Sequence, residues 1–206
     1  MAETTRVANF KSGMENSSIM RAIFSYSLVS TIYAGMISGI MGELKGVVLG
    51  ALLLYVISMC QNVGTIMMPF IKLDEKMGAF TGIVMHSLGD VAIILYIFGV
   101  IDAMTMLITV SIADIIGGIL CAQFTYEMAF PMNVQLGKFA GDTFMVKGSI
   151  MSALGILSMG IAVLALNVVS KEVVMGIATV INLTSSWYFW KIYKVYVDGK
   201  ASGDVQ

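Results

Sequence analysis

Charge is what this sequence has least of. Only 12% of its 206 residues are Asp, Glu, Lys or Arg, while 58% are hydrophobic. Soluble globular chains carry about 25% charged residues, so this one cannot clothe a water-facing surface in charge. Two cysteines exclude a secreted scaffold built on disulfides, and a net charge of −1 argues against a nucleic-acid partner. The single histidine excludes bis-histidine haem ligation within the subunit. No nucleotide-binding loop, potassium filter or seven-helix retinal plan is present, and no cofactor is implied. The first twenty residues hold no apolar stretch of a signal peptide and read as a short polar tail.

Long apolar runs fill the rest. The mean hydropathy is +0.88, and six segments stand out: 21–41, 46–70, 80–100, 104–130, 143–169 and 173–195. Each is long enough to cross a hydrocarbon core of about 30 Å at about 1.5 Å per residue. Backbone polar groups in lipid must be satisfied within the segment, so the runs are expected to be helices. The expected fold is all-α: a polytopic six-helix transmembrane bundle over residues 21–196, with tails at 1–20 and 197–206. The longest loop is expected at 131–142, so any chemistry belongs inside the bundle or on a partner subunit.

Basic residues test the count of spans. Six spans put both termini on one side, and of twelve Lys and Arg only Lys45 and Lys171 then fall on the other. By the positive-inside rule both termini are cytoplasmic, in the cytoplasmic (inner) membrane of the cell. The run 187–196 interleaves aromatic rings with lysines, the pattern of an interfacial anchor in the lipid bilayer.

The functional residues are those that lipid disfavours. An ionised side chain at the bilayer centre costs about 2.5–3.5 kcal/mol even on a mild scale. Asp90 and Asp114 lie about ten residues into neighbouring antiparallel spans, each twelve residues from Asp102 in the intervening turn. Equal spacing places both at one depth near the midplane, and two such carboxylates cannot both ionise cheaply. His86 precedes Asp90 by one turn and shares its face. Asn182 falls near midplane on the last span. A second polar set comprises Gln61, Asn62, Gln123 and Glu127. Gly35-x-x-x-Gly39, with Gly148, Ser152, Gly155 and Ala162, reads as a packing seam. Cys60 and Cys121 read as inert buried thiols.

Over six residues, Met85-His86-Ser87-Leu88-Gly89-Asp90 resembles the His-x-x-x-Asp helix of cation-diffusion-facilitator zinc transporters. It sits in the third span and lacks a second acidic pair in the span before it. The resemblance implies that this spacing serves cation transport. Leu88-Gly89-Asp90 with Asp114 is similar to the Gly-x-Gly-Asp pattern of intramembrane aspartyl proteases, with Ser87 at the first glycine and the order of the two aspartates reversed.

The expected function is a small transporter or channel moving a proton, a cation or a small coupled solute. Its binding residues are Asp90, Asp114, His86 and Asn182, with no metal centre and no enzymatic role favoured. Two alternatives stand beside it. One is a non-catalytic membrane subunit, in a homo-oligomer or with partner membrane subunits. The other is an intramembrane aspartyl protease.

Overall fold

In the computed structural model, residues 2–44, 49–51, 53, 70 and 75–202 are described. The expected second span, with Cys60, Gln61 and Asn62, lies almost wholly outside the described residues, as do the side chains of Cys121, Gln123 and Glu127. Six α-helices make up the described fold: α1 (Ala2–Asn16), α2 (Ser18–Ile40), α3 (Glu75–Ile97), α4 (Ala103–Leu136), α5 (Ala140–Ala165) and α6 (Lys171–Ser202). Among the described residues there is no strand. Among the described residues five stretches are long and apolar enough to cross a membrane: Ser18–Ile40, Lys76–Ile97, Ala103–Leu120, Pro131–Ala165 and Lys171–Ala201. The exposed surface agrees, for Ile156, Leu157 and Leu164 of α5 are each at least 60% accessible. The protein is a multi-pass helical membrane protein.

Local chemistry sets the helix ends. Ser17 is extended at the junction of α1 and α2, and its hydroxyl accepts the Met20 N–H at 3.0 Å. α3 is closed two residues past its end by Gly99, whose φ of +70° suits glycine. There the Gly99 N–H donates to Tyr96 and the Val100 N–H to Leu95, a Schellman closure. Three residues later Asp102 caps α4, its carboxylate accepting the Thr105 N–H at 2.7 Å. The Thr105 backbone and hydroxyl hold the Asp102 carboxyl below its ordinary range.

The structure corrects the expected loop at 131–142. α4 runs through Pro131 to Leu136, a single 3-10 turn follows at Gly137–Phe139, and α5 begins at Ala140. Pro131 forfeits one backbone donor, but Met132 and Leu136 are buried with Ile19, Met20, Ile192 and Tyr196. That apolar burial outweighs the lost hydrogen bond. The run 187–196 is likewise only half an anchor. Trp187 is exposed at its start, but Phe189, Ile192 and Tyr196 line one helical face and pack into the core. The N-terminal tail is helical too.

Among the described helices α2 and α6 are central. α5 packs on α2, α3 packs on α6, and α4 lies against α3. Part of the expected small-residue seam is real. A methyl on Gly35 would stand 2.6 Å from the Gly155 carbonyl oxygen, and one on Gly39 would stand 2.9 Å from that of Met159. Ser158 and Ala162 are buried there, whereas Ser152 is exposed and Gly148 faces open space. Two apolar clusters result. One includes Ile37, Ala92, Ile93, Val110 and Ala178; the other includes Ile19, Ala79, Phe189 and Tyr196. Along α3 and α6, Asp90, Asn182 and Ser185 fall between them.

Candidate functional site

α3 and α4 approach closely because small residues meet along their contact. A methyl on Gly78 would lie 2.8 Å from the Leu120 carbonyl oxygen, and one on Gly117 would lie 3.2 Å from Met85 Cβ. These pairs fix the register. Residues opposite one another are equidistant from about Val100, in the middle of the Phe98–Ile101 turn, and not from Asp102, which already caps α4. The expected pairing therefore shifts by one helical turn.

His86, not Asp90, stands opposite Asp114. His86 Nδ1 lies 3.5 Å from Asp114 Oδ1, and the two side chains are 35% and 18% exposed. His86 is also the central residue of α3, which places Asp90 one turn closer to the Gly99 end.

Asp90 is 1% exposed and turns instead toward α6. Asn182 Nδ2 donates to Asp90 Oδ1 at 2.9 Å. The Ser185 hydroxyl lies 2.7 Å from the Asn182 backbone carbonyl and 3.2 Å from its side-chain Oδ1, so one proton is shared between them. Asp90 Oδ2 is buried and has no hydrogen-bond partner among the described residues. A buried polar atom left unmatched costs about 1–3 kcal/mol, and more when charged.

The four residues singled out from sequence thus form two neighbouring units. Asp90 and Asn182 are joined directly, as are His86 and Asp114, with one turn of α3 linking the units. Ser185 was missed. Its signal was its position three residues after Asn182, on the same helical face. Among the described residues no group of three His, Cys, Asp or Glu side chains converges to hold a metal ion.

Chemically, the arrangement offers a carboxylate in a nearly dry setting with one oxygen fixed and the other uncommitted. A second carboxylate beside it is partnered by an imidazole. Such groups can exchange protons one turn apart on a helix face. No protein family, curated protein or solved structure matches the chain.

Proposed function

We propose that the protein is a small transporter or channel that carries a proton, a cation or a solute coupled to one, with Asp90 as its central binding group. The observation that carries this reading is the buried Asp90 carboxylate, held at Oδ1 by Asn182 and unmatched at Oδ2 among the described residues. Lipid-embedded carboxylates are costly, and structural hydrogen bonds between helices average only about 0.6 kcal/mol. A purely structural role therefore compensates poorly for the burial, whereas ion binding gives the uncommitted oxygen a use. His86 and Asp114, one turn away, extend the path along the α3–α4 contact. In this reading the chain crosses the cytoplasmic membrane six times, with both termini in the cytoplasm, as the distribution of Lys and Arg supports.

The test is flux into liposomes reconstituted with the purified protein. Asp90→Asn is expected to abolish flux while the protein inserts and extracts as wild type does. Wild-type flux in that variant would defeat the proposal.

One observation favours a second reading, a membrane subunit of a larger complex. The His86–Asp114 pair is partly open on the flank of the bundle, where a partner helix would cover it. Stoichiometric partners on purification, with no flux from the isolated chain, would support this reading. An aspartyl protease needs two carboxylates sharing one site. Here Asp90 is hydrogen-bonded to Asn182 and Asp114 stands beside His86.

A further inference from the structure

We infer that the Asp90 site takes a proton and not a metal cation, and that the proton is bound at Asp90 Oδ2. This deepens the transport reading and rests on it for the passage of the bound proton across the membrane.

The argument starts from which atoms face the carboxylate. Asp90 Oδ1 meets an N–H donor, the Asn182 amide nitrogen. An oxygen already accepting that hydrogen bond does not carry the proton, which leaves Oδ2, the atom without a partner among the described residues. Forming the O–H bond at Oδ2 neutralises the carboxylate and leaves the Asn182 hydrogen bond intact. One side chain can thus hold and release a proton without moving its helix.

A metal cation finds the opposite chemistry. Calcium takes six to eight oxygen ligands, and magnesium demands an octahedral set. The amide oxygen of Asn182 is turned toward the Ser185 hydroxyl, and its amide N–H toward Asp90. Among the described residues a cation at Oδ2 would therefore gain one carboxylate, since the Asn182 amide presents its N–H at Oδ1 and its oxygen to Ser185. The titratable groups nearest in effect to Asp90 are Asp114 on α4 and His86 on its own helix. Facing it from α6 is the neutral Asn182, which the Ser185 hydroxyl backs. Asp114 already has the imidazole beside it at 3.5 Å, so it does not complete a ligand set around Asp90.

Dicyclohexylcarbodiimide discriminates the two cases in the wild-type protein. This apolar reagent enters bilayers and reacts with the protonated carboxyl, whose proton passes to a carbodiimide nitrogen as the carboxyl oxygen bonds to the central carbon. Membranes are treated across a pH series with NaCl, KCl or CaCl2, and the modified residue is located by peptide mass spectrometry. Labelling is expected at Asp90, falling about tenfold per pH unit above its midpoint and unchanged by any of the three salts. Protection of Asp90 by a salt, or labelling of Asp114 in its place, would overturn the inference. Asp90→Asn is expected to lose the label, and should that variant fail to insert, the wild-type salt series decides alone. Flux is read separately. Cation-insensitive labelling without proton flux in liposomes would defeat the transport reading and leave the proton site standing.

Discussion

Asn182 on α6 donates to Asp90 on α3 across 2.9 Å, inside the apolar bundle, and the two side chains are 8% and 1% exposed. This bond ties a central helix to the α3–α4 hairpin at the level where the two apolar clusters meet. Its removal has a different consequence from each side. Asn182→Ala strips the carboxylate of its donor among the described residues, and an unmatched buried group costs about 1–3 kcal/mol, more if charged. Asp90→Asn removes the charge and keeps the shape. Unfolding of the detergent-solubilised protein is therefore expected to show Asn182→Ala clearly destabilised and Asp90→Asn at or above wild type. Equal losses in both variants would contradict this account.

Close packing of α2 on α5 supplies the next test. The Gly35 position leaves no room for a methyl, since the Gly155 carbonyl oxygen stands 2.6 Å from where it would sit. Gly35→Ala is expected to cost about 1–3 kcal/mol through overpacking. Gly148 on α5 meets nothing within 4 Å, and alanine is the better helix former by about 0.8–1.0 kcal/mol. Gly148→Ala should thus be neutral or stabilising. Thermal midpoints of the two variants, measured side by side, separate seam from surface.

Sequence made some of this legible and hid the rest for physical reasons. Helical character follows from runs whose length matches the bilayer, and Gly35, Gly39 and Gly155 lie where small residues permit close approach. Asp90, Asn182, His86 and Asp114 were legible as residues that lipid disfavours. Their pairing was not, because register depends on where the turn pivots. Asp102 is equidistant in sequence from Asp90 and Asp114, but a Schellman closure at Gly99 moves the pivot to about Val100 and sets His86 against Asp114. The helix through Pro131 was hidden because proline argues locally for a break, while the burial of Met132 and Leu136 is a tertiary contribution.

Asp102 gives a prediction about pH. The Thr105 N–H and hydroxyl hold its carboxyl below the ordinary value of 3.8, so the folded protein favours the ionised form more than the unfolded chain does. That contribution is fully present above the ordinary aspartate value. It is lost as pH falls through the lower, folded-state value. Asp102→Asn retains a neutral cap and has no proton to gain. The difference in thermal midpoint between wild type and Asp102→Asn is expected to hold steady near neutral pH and shrink in acid. A difference that widens in acid would reverse the sign and refute the assignment.

α1 is held by a mixture of polar and steric contacts, and these predict how easily it comes away. Asn9 Nδ2 donates to Asp142 Oδ2 at 2.7 Å, and Arg6 Nε lies 3.8 Å from Asp142 Oδ1. Beside them Gly13 fits against Thr143, and a methyl there would stand 3.2 Å from Leu136 Cδ2. The Ser17 hydroxyl donates to Gln135 Oε1 at 2.8 Å, fixing the end of the helix. Hydrogen bonds to charged groups contribute about 1.5–3 kcal/mol, while exposed ion pairs add about 0.2–1 kcal/mol. Asp142→Ala should therefore raise local opening of α1 by about tenfold, the factor that about 1.4 kcal/mol carries. Trypsin reads this directly, because Arg6 and Lys11 are exposed on α1 and cleavage within a helix tracks its open population. Gly13→Val, which wedges the helix off Thr143 and Leu136, is expected to accelerate cleavage further. Cleavage of Asp142→Ala at the wild-type rate would show that apolar contact alone holds α1 in place.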